Sequence, residues 1–547
     1  MHDEEQDTIK SSFLDERTPS FGAASQTRLV DSPGQTPRRA LSNMSQRSRF
    51  SVTNSSDSLE KLPEETDRGD DKLVEFEEND SINPKNWSYS RKWVATTLVS
   101  LISFITAASS SIVAPGLPQI ATELNITNSV EKSLVFAIFG MGFIVGAVPY
   151  GPLSELYGRA PVLHISYFVF FVFNLASGFA TTKTQLLVFR FLAGVGGSAP
   201  NTLGAGVVSD CFNAEEIGRG SAFYGLAPRL GPAVGPLVGG FIVQNLDWRW
   251  SFHITSMFAG ALGIFALIFV QETRPQIILE RKAKKLREET GCQEYRTKDW
   301  PRPRGDLRHF GEGMKRPIVY LCTHHIVQYL ALYQFFIAGT LYLVLSTFHG
   351  LWIFVYRQNI EISGLNYISI GLGLVLGNQL CARVSDNVYN YLRHHLKSSD
   401  PDDPDAGRPE YRVPLMLVGA VIYPIGFLIY GWSAQKQLFW LVPNIGIFLV
   451  SVGIIIISQG IKLYTVSTYG TYAASAQGAV NFTRSIGSGT FPLFAPFILA
   501  KLGYGWMGTV MACVAVVLGI PGPIILWYHG PRLRKKAQGL QKADGRT

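Results

Sequence analysis

Long apolar stretches are the feature of this sequence that most restricts its fold. Only 16% of its 547 residues are charged, against about 25% in soluble domains. A helix of roughly 20 residues crosses a hydrocarbon core of ~30 Å, and the apolar stretches have about that length. The sequence therefore predicts an all-α membrane protein with twelve transmembrane helices in two six-helix halves. The predicted spans are residues 93–114, 133–153, 161–181, 185–209, 220–244 and 250–270, then 318–346, 364–382, 413–433, 438–462, 474–499 and 504–528.

Three polar segments divide the chain. Residues 1–92 are rich in Ser, Thr, Arg and acidic residues, and such a segment cannot bury enough apolar surface to offset its ordering entropy. We expect a disordered cytosolic tail there. Residues 271–316 contain 13 Lys and Arg and are expected to form a cytosolic linker between a first half, 93–270, and a second half, 317–528. Residues 529–547 form a basic cytosolic tail.

The distribution of Lys and Arg predicts the orientation. The linker, the C-terminal tail and the turn at Arg159 fall on the same side as both termini. Basic loops stay in the cytosol, so we expect both termini to be cytosolic. This placement also accounts for the net charge of +8 without a nucleic-acid partner. The sequon at Asn125 is then external and is a candidate for glycosylation.

Covalent and metal chemistry find no support in the residue pattern. The five cysteines lack paired or metal-type spacing, so no disulfide framework or metal site is expected. Neither a nucleophile–base set nor a phosphate-binding loop is present. We therefore expect a protein that is not an enzyme and that has no resident cofactor.

Arg190 is a charge in the middle of an apolar span, Leu186–Gly194. A charge at membrane depth costs about 2.5–3.5 kcal/mol on insertion scales, so it normally faces a protein interior or a wet cavity. A guanidinium stays charged when buried and can act on a nearby acid or anion. Arg190 is therefore expected to face a protein interior or a wet cavity, where its charge acts on an acid or an anion.

Two glycine-containing segments flank Arg190 in the sequence. In the turn from Gly151 to Arg159, Glu155 and Arg159 lie four residues apart and Gly158 permits a bend. An acid that pairs in one state and is released in another makes a conformational latch. Further on, glycines recur every four residues on one helix face, which allows close helix packing, and two prolines bend or stiffen that helix. This second set is Gly231, Pro232, Gly235, Pro236, Gly239 and Gly240.

These segments resemble motifs A, B and C of the major facilitator superfamily. Further matches, such as Asn83–Trp87 and Trp248–Trp250, extend the similarity over about 83–530, and together they resemble the fungal twelve-span drug:H⁺ antiporters typified by cycloheximide-resistance and polyamine exporters. The matched motif positions are Gly151, Leu153, Glu155, Gly158 and Arg159 for A, Arg190, Phe191 and Gly194 for B, and Gly231, Pro232, Gly235, Pro236, Gly239 and Gly240 for C.

The resemblance implies a membrane-embedded monomer that exports a small-molecule substrate as protons flow inward. It links Arg190 to proton coupling and the 231–240 glycines and prolines to the helix bending that favours export. Spans 1, 4, 7 and 10 usually line the cavity in this fold, so Tyr329, Tyr333 and Phe336 are candidates for contact with substrate.

Several polar residues depart from the expected pattern. Arg229 lies about ten residues into its span and either faces the cavity, favouring an anionic or carbonyl-rich substrate, or pairs with an acid on another helix. His324 and His325 lie at the start of span 7. They are either hydrogen-bonded histidines at a helix end or groups that bind and release a proton during transport. Lys462 is expected to reach water at a helix end, and Asp210 to be a helix-end acid.

The sequence thus favours a proton-coupled exporter of drugs or secondary metabolites, such as a fungal toxin. One alternative is a polyamine or nutrient carrier of the same fold. The other is a membrane sensor that transports nothing and signals through its long N-terminal tail. The sequence identifies neither the substrate nor the group that carries the proton.

Overall fold

A computed structural model describes residues 73–77, 80–213, 216–297, 307–395, 408–470 and 473–543. These residues are almost entirely helical. The first half contains α1 (Tyr89–Ser111), α2 (Leu117–Glu123), α3 (Ser129–Tyr157), α4 (Arg159–Gly178), α5 (Lys183–Cys211), α6 (Ile217–Asn245) and α7 (Arg249–Phe269), and the connection contains α8 (Pro275–Thr290) and α9 (Leu307–Thr323). The second half contains α10 (His325–Gly350), α11 (Ile360–Leu365), α12 (Tyr367–His395), α13 (Val413–Gln435), α14 (Leu441–Tyr469), α15 (Ala473–Gly519) and α16 (Pro521–Ala543).

Twelve membrane crossings follow from these helices in the described part of the chain. Ten helical runs are long and apolar enough to cross a membrane. One of them, Ser475–Arg534, has 60 residues, enough for two crossings, and its backbone turns at Gly503, where φ is 67°. The helix α5 adds one more crossing. Its 29 residues are enough to span the membrane, although it is too polar to be counted among the ten apolar runs. The predicted all-α architecture of twelve helices in two halves is confirmed.

Some helix bounds differ from the predicted spans. The span predicted to start at residue 318 is interrupted at His324, whose backbone is extended, and α10 begins after it. The helix α14 continues to Tyr469, so Lys462 lies seven residues inside it and not at its end. Near the N-terminus, Asn83 caps a short turn and α1 begins at Tyr89, before the predicted boundary at 93. Of the tail predicted to be disordered, residues 1–92, the residues 1–72, 78 and 79 lie outside the described part of the chain.

The bundle has two ends, which we name by their connections. The linker end carries α8, α9 and the turns at Gly158, Phe212 and Arg412. The loop end carries α2, α11 and the short turns near Thr182 and Lys436. At the loop end, side chains start the helices: Asn128 accepts a hydrogen bond from the Val130 amide at 2.8 Å, and Thr182 accepts one from the Gln185 amide at 3.3 Å.

The two halves meet through small residues. A Cβ on Gly140 of α3 would lie 3.4 Å from Gly489 Cα of α15, and one on Gly240 of α6 would lie 3.3 Å from Gly364 Cα of α11. At the loop end, Asn245 also donates to Glu361 of the second half at 2.6 Å. Because lipid gives helices no hydrophobic reason to associate, close backbone packing of this kind supplies the attraction.

An ion pair outside the spans clamps α2 to α7 at the loop end. Arg249 lies 2.6 Å from Glu123, and Trp248 donates to the same carboxylate at 2.6 Å. The hydrogen bond from Arg249, followed by that from Trp248, lowers the pKa of Glu123. A carboxylate with a depressed pKa stabilises the fold above its unfolded pKa and stops doing so as the pH falls through its folded value.

We therefore expect Glu123→Gln to lower the free energy of unfolding by about 0.5–1 kcal/mol at neutral pH, a value limited by solvent screening. The loss should shrink as the pH falls through the lowered pKa of folded Glu123 and vanish below it, where Glu123 is protonated in both states. Thermal unfolding of the detergent-solubilised protein at several pH values measures it. Glu131→Gln is the control, because the Glu131–Lys183 pair is similarly exposed but lacks the tryptophan donor. An equal loss in both variants would contradict the clamp.

Candidate functional site

Arg190 lies inside the first half, with 1% of its surface exposed. Its Nε donates to the Val135 carbonyl of α3 at 2.9 Å, and its Nη2 donates to the Ser110 carbonyl of α1 at 3.3 Å. The guanidinium carbon also lies 5.3 Å from the centre of the Phe139 ring and 5.5 Å from that of Phe252. Carbonyl dipoles and ring faces thus replace water around the charge. Arg190 joins α1, α3, α5 and α7 into one rigid unit.

The turn predicted as a latch is built around Gly158. Its φ is 100°, and a Cβ there would lie 2.1 Å from the Glu272 carboxylate, so only glycine fits. Glu272 accepts hydrogen bonds from the amides of Arg159 at 2.9 Å and Ala160 at 3.3 Å, which caps the start of α4. The Arg159 side chain pairs with Asp210 at the end of α5.

The other latch candidates are placed differently. Glu155 is exposed, and a Cβ on Gly151 would meet nothing within 4 Å. Arg159 and Asp210 therefore form the ion pair of this turn, and Glu272 accepts backbone hydrogen bonds beside it, in the conformation described. Asp210 lies next to the last residue of α5, at the helix end where it was predicted. Glu272 was not predicted, although an acid just after the last span of the first half was a usable signal.

The glycine row of α6 faces α1. A Cβ would lie 2.6 Å from the Ala107 side chain at Gly231, 2.4 Å from the Ala108 carbonyl at Gly235 and 2.4 Å from the Ile112 carbonyl at Gly239. The neighbouring prolines complete the contact, since the Pro232 carbonyl accepts a hydrogen bond from Ser111 at 3.0 Å. Pro236 is buried in the same helix. Gly240 faces the other way, towards α11 of the second half.

Arg229 crosses the interface between the halves. Its Nη1 donates to the Asn378 amide oxygen of α12 at 2.7 Å, and its Nη2 donates to the Gln459 amide oxygen of α14 at 3.0 Å. Arg229 therefore has partners on other helices, as one of the two predicted alternatives required, but these partners are two amides and not an acid. Lys462 and Arg484 are exposed, yet each is close enough to Arg229 for the like charges to repel.

These cations lie on helices of both halves, and we use the name chamber for the region bordered by Arg229 on α6, Gln459 and Lys462 on α14, and Arg484 on α15. Towards the linker end its side chains are exposed, among them Lys462 and Arg484. Val466, one turn beyond Lys462, is 47% exposed. At the loop end the same interface is closed by the contact of Gly240 with α11.

Comparison with known proteins gives the family. The family model described as Major Facilitator Superfamily matches residues 99–492. Efflux pump vrtL of Penicillium aethiopicum is 39% identical over 456 residues, which cover 83% of this chain and 88% of that protein. The chain belongs to the major facilitator superfamily. It is therefore a multi-pass membrane transporter and not an enzyme.

Other relatives of this facilitator support the same assignment. Efflux pump radE of Floropilus chiversii is 35% identical over 478 residues, which cover 86% of each chain. Among solved structures, the D-xylose-proton symporter aligns with a TM-score of 0.58 at 16% identity, covering 81% of this chain and 98% of that one. At that identity the structural match shows the fold alone. The resemblance to fungal efflux-type facilitators is confirmed.

The aromatic candidates of α10 pack within the second half of this facilitator. The Tyr329 hydroxyl donates to the Leu518 carbonyl at 3.0 Å, Tyr333 is fully buried, and Phe336 is 5% exposed. The ring of Phe336 contacts Tyr423 and Phe491 at centroid distances of 6.3 Å. Their role in contacting substrate stays a prediction.

The remaining candidates lie at the two ends of the bundle. His324 stacks on Tyr320 at a centroid distance of 4.6 Å, and His325 bonds Gln328 at 3.0 Å, so both lie at the linker end beside the start of α10. Asn125 is exposed after α2 at the loop end and adopts a φ of 53°. Glycosylation of Asn125 and a proton role for either histidine stay predictions.

Arg190→Ala should abolish transport driven by a proton gradient while the protein still inserts and folds. Hydrogen bonds to a charged group contribute about 1.5–3 kcal/mol each, so their loss shifts the balance between conformations by ~10–100-fold. Uptake into proteoliposomes measures the effect, and size-exclusion chromatography measures folding. Arg190→Lys, which keeps the charge but not the forked geometry, should retain part of the flux. Unchanged flux in Arg190→Ala would remove this residue from the mechanism.

Gly235→Ala should lower the free energy of unfolding by about 1–3 kcal/mol, because the added methyl meets the α1 backbone, which cannot rotate away as a side chain can. Gly218→Ala in the first turn of the same helix is the matched control. A Cβ at Gly218 meets nothing within 4 Å, so alanine there should be neutral or stabilising by up to ~1 kcal/mol. Thermal unfolding in detergent compares the two. Equal stability would show that the glycine row is incidental.

Proposed function

We propose that this facilitator is an efflux transporter of the plasma membrane, which exports small organic molecules such as drugs or secondary metabolites in exchange for protons. Two relatives named efflux pumps, vrtL and radE, match over most of their length. The exchange of substrate for protons rests on the glycine and proline row that resembles the antiporter motif, and on the buried charge of Arg190.

The orientation follows from charge. Two basic segments lie at the linker end. One is in α8 and includes Lys282, Lys284 and Lys285, and the other is near the C-terminus and includes Arg532 and Arg534. Basic segments remain cytosolic, so the linker end faces the cytosol and both termini are cytosolic. The protein acts as a monomer, with its substrate path between the two halves of one chain.

The observation that carries the proposal is the asymmetry of the interface between the halves. Side chains of the chamber, namely Lys462, Arg484 and Val466, are exposed towards the linker end, whereas backbone contacts and the Asn245–Glu361 bond close the loop end. An exporter must load its substrate from the cytosol, and this is the conformation in which it does so. Release outside then requires Asn245 to part from Glu361 and the linker end to close.

Transport by reconstituted protein tests the proposal. We would use three naphthalene probes of matched shape whose charge does not vary with pH: a naphthalenesulfonate anion, a neutral naphthalenesulfonamide and a naphthylmethyl trimethylammonium cation. At least one should accumulate in proteoliposomes when the interior is acidic, because proton exit then drives entry of the substrate. A protonophore should abolish this uptake, as should Arg190→Ala.

Protein-free liposomes control for passive entry, and Lys183→Gln, on the exposed surface at the loop end, controls for substitution itself. Accumulation only with an alkaline interior would show that protons enter with the substrate and would replace the exporter with a nutrient carrier. Transport of none of the three probes under either gradient would count against efflux of compact aromatic compounds.

A further inference from the structure

We propose that the substrate carries a negative charge and that Arg229, Lys462 and Arg484 hold it in the chamber. This inference rests on the proposed function and names the substrate class that the function left open. Three observations support it: the position of the three cations, their lack of acidic partners among the described residues, and the exposed polar helix faces on which they lie.

The three cations lie at similar depth on facing helices. Arg229 is the thirteenth residue of α6, Arg484 is the twelfth of α15, and Lys462 is seven residues before the end of α14. With a rise of 1.5 Å per residue, they stand about 10–18 Å from the linker end of their helices. Ionisable residues at such depth face a protein interior or a water-filled path. One cation comes from the first half and two come from the second.

No carboxylate balances them in the described residues. The helices α1, α4, α6, α7, α10 and α13 to α16 contain no Asp or Glu. The acids of the other crossing helices lie towards the helix ends, and three of them are already paired: Glu131 with Lys183, Asp210 with Arg159, and Asp386 with Arg412. The fourth, Glu155, is exposed two residues before the end of α3.

Polar side chains lie beside the cations and help to position them without neutralising their charge. The amides of Asn378 and Gln459 fix the Arg229 fork, but an amide cancels no charge. On α15, Gln477 donates to Asn481 at 3.3 Å, and Asn481 and Arg484 lie on one helix face three residues apart. This face is exposed. Polar residues on it would be costly against lipid but are well placed beside an aqueous chamber.

Mutual repulsion makes the chamber a site for an anion. Like charges in a region of reduced dielectric raise the free energy of the protein, and a bound anion relieves this repulsion while gaining charge-assisted hydrogen bonds. Arg229 offers a planar fork suited to a carboxylate or sulfonate, and Lys462 offers a compact charge. A cationic or polyamine substrate would meet three positive charges and no negative one.

The electrostatic part is tested with a reporter cysteine. Val466→Cys places a thiol one helical turn from Lys462, in a full-length protein whose exposed or partly exposed Cys292, Cys322 and Cys513 are changed to Ser. We would measure its reaction with an anionic and with a cationic methanethiosulfonate in detergent. The anionic reagent should react faster relative to its rate on a free thiol, and Lys462→Gln should lower that ratio on the order of ten-fold.

Lys501→Gln is the matched control for this measurement. Lys501 is exposed on α15, as Arg484 is, but lies near Gly503 at the loop end, so its loss should leave the ratio unchanged. A ratio that does not exceed that of a free thiol, or that is unaffected by Lys462→Gln, overturns the proposal.

The substrate class is tested by protection of the same cysteine. The naphthalenesulfonate should slow modification at concentrations where the neutral sulfonamide and the trimethylammonium cation do not, and Arg229→Gln or Arg484→Gln should weaken this protection several-fold. Equal protection by the neutral or cationic probe, or none by the anion at millimolar concentration, overturns the proposal. Stronger protection by a short-chain phosphatidylserine would assign the cations to a lipid headgroup and would overturn it as well.

Failure of this inference is distinct from failure of the proposed function. The cysteine measurements need no turnover and no proton gradient, so they report on the chamber even where transport is absent. Conversely, proton-driven uptake of the neutral or cationic probe, together with a flat reagent ratio, would keep the exporter and remove the anionic substrate.

Discussion

The cost of holding a charge inside a membrane governs the polar architecture of this transporter. Each buried cation must find oxygen atoms or ring faces that replace water. Arg190 finds backbone carbonyls and two aromatic rings, Arg159 finds Asp210, and Arg229 finds the amides of the opposite half. These partners have different structural effects. Arg190 ties together helices of one half, whereas Arg229 joins the two halves by bonds that would have to separate if the halves moved apart.

Close packing of small residues complements these charges. The α6 glycines bring its backbone against α1 and make the first half a rigid unit, and Gly240 extends the contact to the second half at the loop end. Rigid halves that touch along glycine contacts can rock without repacking their cores. The interface is then the mobile element. It contains Arg229, the exposed side chains of the chamber towards the linker end, and the Asn245–Glu361 hydrogen bond at the loop end.

The interface between the halves would determine both the movement of the substrate and the choice of substrate. The groups that would sense the substrate, Arg229, Lys462 and Arg484, belong to both halves, so a bound molecule bridges them and biases how they close. Arg190 lies outside the chamber, sealed within the first half. Any effect of Arg190 on the proposed transport cycle would therefore run through the helices α1 and α3 that it ties together, and not through contact with the substrate.

The sequence by itself determined the number of spans, the two-half layout and the family, because apolar length and glycine spacing are local properties that lipid enforces. It also marked Arg190 and the 231–240 row as special. Only the tertiary structure decided the partners. Glu272 proved to cap α4, and Tyr333 proved to be buried in the second half. Lys462, expected at a helix end, proved to lie within α14 near Arg229. These outcomes depend on which helices face one another, and residues 230 positions apart, such as Arg229 and Gln459, leave no local trace of their contact.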